Sequence, residues 1–361
     1  MAKIDDDIRR ARTRPGSEYG DPAVFAAVVE RVLARSWLPV GPPEIGPGEA
    51  APLCLLPGVL DEPLVYTRDE AGTLHCLSNV CTHRGMQVVC EAGPTKRLRC
   101  TYHGRRFGLD GAFQAAPGFE DAEDFPRPSD DLPRVPHGCW GPLHFLGLAP
   151  GTALEEWVGP LEEILGWLPL HDFRFDPDRS RDYEVAANWA LYIDNYLEGF
   201  HIPTVHKSLA RSLDVSAYET RLMPHGSVQV GIAADGEPAF EVPPDHPDAG
   251  RPIAAWYLHL FPTTMVNAYP WGISVNHVEP LGPRRTRVRF VEYSWRPELR
   301  EEGAGGDLHR VQLEDEAVVE AAQVGVRSRL YDRGRYAPRH EAAVHHFHRL
   351  LHKALVADQS V

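Results

Sequence analysis

The chain has 361 residues, of which 43% are hydrophobic, and a formal net charge of −14 at pH 7. This length exceeds one typical domain, so we expect two closely joined units. The negative charge argues against nucleic acid and anionic membranes as partners, because both are bound through basic surfaces. No apolar stretch approaches the roughly 20 residues that cross a bilayer, and the first residues lack a secretory or transit signal. We therefore expect a cytoplasmic protein.

The first part of the chain combines a helix with a β region. Asp21 and Pro22 are a helix cap and a first-turn proline, and the apolar residues that follow, up to Leu33, have helical spacing. Residues 37–150 then change to short alternating runs broken by Gly and Pro. This pattern predicts a small antiparallel β domain.

The second predicted domain consists of residues 1–36 and 151–361. Residues 254–295 are rich in Tyr, Val and Phe and predict strands, and residues 303–306 are interpreted as a flexible connection between a strand and a helix. The segment 188–206 is predicted to begin as a helix that Pro203 disturbs. Further helices are predicted over residues 154–168, 307–330 and 339–355. The whole pattern indicates the α+β class.

The cysteines fall into two groups. Six cysteines in a chain of this size are too few for a disulfide framework. Cys81 and Cys100 belong to a metal-like pattern. The other four are interpreted as small buried apolar residues: Cys54, Cys76, Cys90 and Cys139.

A first metal-like pattern joins two short motifs. Cys81 and His83 form C-x-H, and after sixteen intervening residues Cys100 and His103 form C-x-x-H. Thiolates suit iron in a sulfide cluster, but a structural zinc site uses the same residue types. Zinc fingers usually pair cysteine with cysteine, whereas each motif here supplies one ligand of each kind. The arrangement therefore favours iron over zinc.

These two motifs resemble the Rieske domain, and the likeness extends to Tyr102, Phe107, Asp110 and Gly111. The resemblance implies a two-iron, two-sulfur cluster held by two cysteines and two histidines. Imidazole ligands raise the potential of such a cluster to about −150 to +300 mV, against about −400 mV in plant ferredoxins. Many relatives carry Trp where Arg105 stands, a departure that leaves the ligands untouched and bears on partner docking or potential.

A second metal-like pattern lies between residues 194 and 206. His201 and His206 are five residues apart, which in an unbroken helix would separate them by about 140°. Pro203 lies between them and can bend the path. Two imidazoles and one carboxylate with open positions hold ferrous iron for oxygen chemistry. An isolated pair of this kind is more often a pair of ordinary histidines, but the cluster pattern upstream favours the metal site.

The carboxylate ligand is expected at the start of a C-terminal helix. Asp315 has Val311, Val318 and Val319 as helical neighbours, so it is expected to face apolar surface, where an unpaired carboxylate is costly without a cation. Glu314 passes the same test almost as well. Asp315 is therefore chosen as the expected ligand, with Glu314 a close second, and a solvated capping cluster is the alternative.

Together, the two patterns resemble a Rieske non-heme iron oxygenase. The resemblance implies a Rieske β domain over residues 37–150 and a helix-grip catalytic domain whose curved antiparallel sheet grips a long helix. It also implies a homotrimer, a separate NAD(P)H-dependent reductase or ferredoxin, and O2 as co-substrate. No G-x-G-x-x-G fingerprint is present, which agrees with a separate reductase.

Two further site residues follow from the same resemblance. Glu198 is expected to bridge His103 of one subunit and His201 of its neighbour, although relatives often have Asp at this position. The bridge would orient the ligating imidazole, as carboxylates commonly do. Asn195 also matches the family motif and is expected to support the iron ligands.

The substrate remains open at this level. The residues around Tyr336 and His345 resemble the branch that oxidises quaternary ammonium compounds, and five aromatics could form a cage for a trimethylammonium group: Trp256, Tyr257, Phe261, Tyr269 and Trp271. The same wall could serve an apolar arene, or the rings could be core packing. A Rieske protein that only carries electrons is a hypothesis of another class.

Overall fold

The computed structural model describes residues 2–357. Contacts between Cα atoms divide the chain into two compact units, residues 37–150 and residues 1–36 together with 151–361. The helices are α1 (Pro22–Arg31), α2 (Leu154–Leu165), α3 (Trp189–Tyr196), α4 (Ile202–Val205), α5 (Leu209–Ser212), α6 (Leu308–Gly325) and α7 (Ala342–Val356).

The strands of the first unit are β1 (Leu38–Val40), β2 (Glu49–Leu55), β3 (Glu62–Arg68), β4 (Leu74–Ser78), β5 (Gly93–Pro94), β6 (Leu98–Arg99), β7 (Arg106–Phe107), β8 (Phe113–Ala115), β9 (His137–Trp140) and β10 (Leu143–Leu146). Those of the second unit are β11 (Arg174–Val185), β12 (Glu219–Met223), β13 (Gly226–Ile232), β14 (Ile253–Leu260), β15 (Thr264–Tyr269), β16 (Gly272–Gly282) and β17 (Arg285–Ser294).

The unit of residues 37–150 is built from small antiparallel sheets. Their strand orders are β1-β10-β9, β4-β3-β2-β5 and β6-β7-β8. Val65, Leu77 and Phe107 are fully buried and share one apolar core with Cys81 and Cys100. Because the two cysteines belong to this core, their thiols are held at fixed positions.

The prediction that four cysteines are buried was wrong for three of them. Cys76 is buried, whereas the following are exposed: Cys54, Cys90 and Cys139. Cys54 directly precedes the buried Leu55, and Cys139 directly precedes the buried Trp140. Successive side chains of a strand point to opposite faces, so each of these cysteines is turned outward by its buried neighbour.

The second unit contains one large antiparallel sheet with the strand order β11-β17-β16-β15-β14-β13-β12. Strands β13 to β15 are buried along their whole length. The pairing register shifts within β11, β14 and β16. Such irregularities bend a sheet and increase its twist, which agrees with the curved sheet that was predicted.

Helices cover this sheet and hold α3 in place. The Asp21 side chain accepts the N–H groups of Ala23 and Val24, which confirms the predicted cap of α1. Helix α7 packs against α1, α3, β12 and β13, and α3 also packs against α6 and β16. The end of α3 is thereby fixed between the sheet and α6. None of the helices described here is long and apolar enough to span a bilayer.

The connection at residues 303–306 is packed, so its interpretation as a flexible segment was wrong. Gly303–Gly305 forms a 3-10 turn in which Ala304 and Gly305 are buried. A Cβ atom on Gly305 would come within 2.4 Å of Trp271 Nε1 and 2.8 Å of the Tyr269 ring. Glycine is therefore needed here for close packing.

A buried histidine predicts acid sensitivity of this unit. Burial lowers the pKa of His259 to about 4, against 6.5 for the free side chain, and its Nε2 lies 3.1 Å from the carbonyl oxygen of Pro262. When folding lowers the pKa of a base, the folded protein loses stability as the pH falls from the pKa of the unfolded state towards that of the folded state. When the pH is lowered from 7 to 5, we expect the free energy of unfolding to fall by about 2 kcal/mol more in the native protein than in H259Q.

Thermal unfolding of the native protein and H259Q at several pH values measures this difference. His171 is exposed, so H171Q is the control and should follow the native protein at each pH. Equal acid sensitivity of H259Q and the native protein would contradict the assignment.

Candidate metal centres

Two loops of the same construction end in the first predicted ligand set. The N–H of Cys81 and that of Cys100 each donate to the carbonyl five residues later. The carbonyl of each cysteine accepts from the N–H of a glycine four residues later, at 3.0 Å in both loops. Gly85 and Gly104 have φ values of +71° and +77°, which side chains with a Cβ rarely adopt. Each loop therefore makes a tight turn behind its candidate ligands.

The four predicted cluster residues lie at the ends of these loops. Cys81 and Cys100 are buried, while the rings of His83 and His103 are more exposed and have centroids 4.7 Å apart. Burial raises the pKa of the Cys81 thiol, and a thiolate at such a site needs a cationic partner. Two buried sulfurs and two neighbouring imidazoles, carried by two matching loops, fit a cluster with one iron on each ligand type.

The second predicted ligand set lies at the end of α3. This helix ends at Tyr196, and the chain turns before the short helix α4, with His201 as its N-cap and His206 as its C-cap. The break thus precedes Pro203, and its predicted placement at Pro203 was wrong. Pro203 occupies the first turn of α4, where a missing N–H costs little.

The turn brings three ligand atoms together. His206 Nε2 lies 3.1 Å from His201 Nε2 and 2.9 Å from Asp315 Oδ1, and His201 Nε2 lies 3.5 Å from the same oxygen. Adjacent ligands around one ion with bonds of about 2.1 Å have similar separations. Two imidazoles and one carboxylate on one face match the arrangement that holds ferrous iron.

Carboxylates on the far side of the imidazoles orient them. Glu198 Oε1 lies 2.7 Å from His201 Nδ1, and Glu314 Oε2 lies 2.8 Å from His206 Nδ1. With each Nδ1–H donating to its carboxylate, both Nε2 lone pairs point at each other and at Asp315. Such a convergence of acceptors is stable only around a proton or a metal ion.

The protonation of His201 follows from this geometry. Burial lowers the pKa of His201, but its hydrogen bonds to Asp315 and Glu198 outweigh burial and raise the pKa to about 9. A metal ion must displace this proton, so metal affinity should fall as the pH is lowered.

The structure distinguishes the contacts of the two carboxylates that the sequence ranked as nearly equal candidates. Asp315 faces both Nε2 atoms and accepts from Asn195 Nδ2 at 2.6 Å. Glu314 instead contacts the outer nitrogen of His206 and accepts from Arg310 Nε at 3.1 Å. Asn195 therefore lies where a supporting residue was expected, and Glu314 is placed to hold the His206 ring.

The Glu314 contact leads to a test by substitution. We expect E314Q to lower the affinity of the mononuclear site for ferrous iron by about 10- to 100-fold, the usual effect of losing a carboxylate that orients a ligand. Titration of iron into metal-depleted protein measures this change. R310Q, which removes only the outer contact of Glu314, should have a smaller effect. Unchanged iron affinity in E314Q would show that the contact is dispensable.

A cavity opens beside this ligand set. Its wall is formed by aromatic, uncharged polar and aliphatic side chains, together with the three candidate ligands and Glu198: Tyr192, Tyr196, Tyr218, Tyr257, Tyr269, Phe290, Asn195, Gln229, Asn267, Asn276, Gln312, Ile202, Leu209, Ala304, Leu308 and Val311.

The predicted aromatic cage is only partly correct. Tyr257 and Tyr269 line the cavity. Three rings do not, because they pack elsewhere: Trp256 against Phe240, Phe261 against Phe347 and Trp271 behind Tyr269. Sequence reasoning missed Tyr192, Tyr196 and Tyr218. The spacing of Tyr192 and Tyr196 on the same helix as Asn195 was an available signal.

Two parts of the chain match known protein families. Residues 54–126 match the Rieske [2Fe-2S] domain, and residues 173–356, just over half of the chain, match the family described as Ring hydroxylating alpha subunit (catalytic domain). The chain belongs to the Rieske non-heme iron oxygenases.

Relatives of this oxygenase cover nearly the whole chain. It is 32% identical to choline monooxygenase of Arabidopsis thaliana, over 96% of this chain and 84% of that protein. It is 27% identical to the carnitine monooxygenase oxygenase subunit of Escherichia coli K12, over 95% of this chain and 94% of that protein. The crystal structure of the quaternary ammonium Rieske monooxygenase CntA with an inhibitor has a similar fold, with a TM-score of 0.74 at 23% identity over 98% and 99% of the two chains.

The family settles the cofactor classes and the reaction class. This Rieske oxygenase is an oxidoreductase with a [2Fe–2S] cluster and a non-heme iron, and it uses O2. When bound, the cluster supplies single electrons and the iron activates O2. The zinc alternative and the electron-carrier alternative are both disfavoured, since each half of the chain matches its part of an oxygenase.

Proposed function

We propose that this oxygenase oxidises a small trimethylammonium compound that lacks a carboxylate. In the proposed assignment, residues 37–150 hold the cluster through Cys81, His83, Cys100 and His103. Residues 1–36 and 151–361 hold the iron through His201, His206 and Asp315. The composition of the cavity wall is the observation that carries the proposal.

Tyrosine rings give the cavity an affinity for cations. Tyr218 and Tyr257 have ring centroids 6.3 Å apart and nearly parallel, and Tyr257 meets Tyr269 edge to face at 6.1 Å. Aromatic faces attract quaternary ammonium groups, most strongly where water is excluded. Glu198 adds a carboxylate to the same wall, from which an apolar arene would gain nothing.

The uncharged part of the wall argues against a carboxylate on the substrate. No Lys or Arg is among the described residues that line the cavity, so a substrate carboxylate held away from the iron would be buried without a cationic side chain to pair with, at high cost. Gln229 Nε2 donates to the carbonyl oxygen of Tyr196, while Gln229 Oε1 has no partner in the described chain. This oxygen could accept a hydrogen bond from a substrate hydroxyl. An alcohol such as choline therefore fits better than carnitine or betaine.

Single-turnover oxidation tests the proposal. The purified protein is reduced chemically and given oxygen with choline, carnitine, betaine or an arene, and the products are identified by mass spectrometry. An aldehyde or formaldehyde from choline, with little product from the carboxylated compounds, is the expected result. Turnover of carnitine or betaine above that of choline would refute the carboxylate argument. Hydroxylated arene without ammonium turnover would overturn the substrate class.

The cage can be tested separately with a matched pair of variants. Y257F keeps the ring and should keep the KM of the native protein for the ammonium substrate. Y257L removes the ring and should raise KM by about tenfold, within the range of cation–π energies. Equal KM values for the two variants would remove the ring from the proposal.

We further propose that the protein works as a homotrimer in which the cluster of one subunit serves the iron of the next. Glu198 would then link His201 to His103 of the neighbouring subunit. Two exposed surfaces support such a contact. Tyr102, beside His103, is 55% exposed. Helix α6 carries an exposed apolar stripe of Leu313, Ala317, Ala321 and Val324, and stripes of this kind commonly mark interfaces.

Mixed assemblies test this arrangement. C100A lacks a cluster ligand and D315A lacks an iron ligand, so neither variant should turn over substrate alone. Co-expression of the two should restore a fraction of the activity, because some assemblies pair an intact cluster with an intact iron site across a subunit boundary. No recovery, with mixed assemblies verified by mass spectrometry, would contradict transfer between subunits.

The electron donor and the location complete the proposal. A separate NAD(P)H-dependent reductase or ferredoxin is proposed, since the sequence contains no dinucleotide fingerprint. A cytoplasmic location is proposed because none of the six cysteines, all of which lie in the described part of the chain, forms a disulfide, as is usual in a reducing compartment.

A further inference from the structure

Arg105 is a buried cation next to the first ligand set. Its side chain is only 3% exposed, and it follows Gly104 directly, in the loop that carries His103 and Cys100. The rings of Phe113, Phe119 and Phe125 surround it, with centroids 5.1 to 5.2 Å from its guanidinium carbon. Aromatic faces stabilise a desolvated guanidinium but leave its charge in place.

The polar contacts of Arg105 tie it to the other loop as well. Arg105 Nη1 donates to Thr82 Oγ1 at 2.8 Å, and Thr82 stands between Cys81 and His83. The hydroxyl of Thr82 donates to the carbonyl oxygen of Asp130 at 2.8 Å. The guanidinium is therefore fixed against both ligand loops, and its distance from each is set by packing.

Its positive charge is only partly neutralised. Asp130 Oδ1 lies 3.3 Å from Nη1, and the Asp130 side chain is 19% exposed, against 3% for Arg105. Arg105 Nε has no hydrogen-bond partner among the described residues. Water screens the carboxylate more than the guanidinium, so a net positive potential remains inside the domain.

A ring connects this charge to a proposed ligand. Phe119 meets His83 edge to face, with centroids 5.1 Å apart, and the same ring contacts Arg105. The space between the charge and the ligand is thus filled by hydrocarbon, in which electrostatic interactions are stronger than in water.

We propose that Arg105 raises the reduction potential of the cluster, because a fixed positive charge beside it favours the state with one more electron. The inference rests on the proposed cluster ligands. Reduction adds one electron from the external donor and makes the cluster more negative by one charge. The indole that many relatives carry at this position would supply no such charge.

The midpoint potential of the purified protein, measured by a redox titration followed by EPR at fixed pH and ionic strength, tests the inference. Visible absorbance and sulfide content are measured first. We expect R105Q and R105W to shift the equilibrium with a fixed donor by about tenfold towards the oxidised cluster, which is about 59 mV for a one-electron couple. R105K should stay close to the native potential, since it keeps the charge.

Opposite shifts separate charge from packing. D130N removes the partial counter-charge and should raise the potential, whereas R105Q lowers it; a loosened domain would not give opposite signs. R134Q changes an exposed arginine of the same domain, 67% exposed, and should change nothing. If the native protein contained no sulfide, both the proposed function and this inference would be overturned. Intact clusters with equal potentials in R105Q and the native protein would overturn the inference alone.

Discussion

D315A is expected to lose one iron per chain and all turnover while keeping its cluster. Asp315 Oδ1 faces both imidazole Nε2 atoms, and without it the two nitrogen lone pairs cannot hold ferrous iron against water. The cluster ligands belong to the other structural unit, so the cluster should assemble normally. Iron should fall from about three to about two per chain, with sulfide unchanged at about two.

Iron and sulfide contents are measured in D315A and E314Q and compared. The two residues are adjacent on α6, but only Asp315 faces the inner nitrogens. E314Q should retain iron at saturating concentrations. Retention of three irons by D315A together with loss in E314Q would reverse the roles proposed for the two carboxylates.

E198Q is expected to keep both metal centres and to lose about 100-fold in kcat, at the upper end of what is lost when a carboxylate behind a ligand is neutralised. Glu198 accepts from the backbone N–H of His201 at 3.0 Å and contacts His201 Nδ1. A glutamine can keep one of these contacts, so the iron should stay bound. It carries no charge, however, and would weaken the proposed link to the neighbouring cluster.

Stopped-flow oxidation of the reduced cluster shows where the loss occurs. In E198Q the cluster should remain reduced after oxygen and substrate are added, whereas in the native protein its absorbance should recover quickly. E198D keeps the negative charge and should be far closer to the native rate. A fall to two irons per chain in E198Q would mean that Glu198 only holds His201.

Several features of the site could be predicted from spacing alone. The four cluster residues lie in two motifs that are each a few residues long: Cys81, His83, Cys100 and His103. Motifs this short impose their own loop geometry, so the sequence was enough to predict that the two ligands of each motif lie close together. The pairing of His201 with His206 was also predicted. The prediction attributed the bend in the chain to Pro203, which was wrong, because the helix already ends at Tyr196.

Other features depend on contacts between distant segments. Asp315 and Glu314 are neighbours with the same charge, and only the packing of α6 against α3 decides which of them faces the histidines. Tyr218 lines the cavity, whereas Trp256 and Trp271 turn away from it. Alternation along a strand tells which residues share a face but not which face meets the cavity.

The sequence by itself determined the family and the α+β class, and it predicted the four cluster ligands and the two histidine ligands, because these follow from short motifs and from the periodicity of apolar residues. Only the tertiary structure decided the ring composition of the cavity, the absence of Lys and Arg among the described residues that line it, and the burial of Arg105 among three phenylalanines. Each of these depends on side chains that are far apart in the chain and are brought together by the packing of sheets and helices.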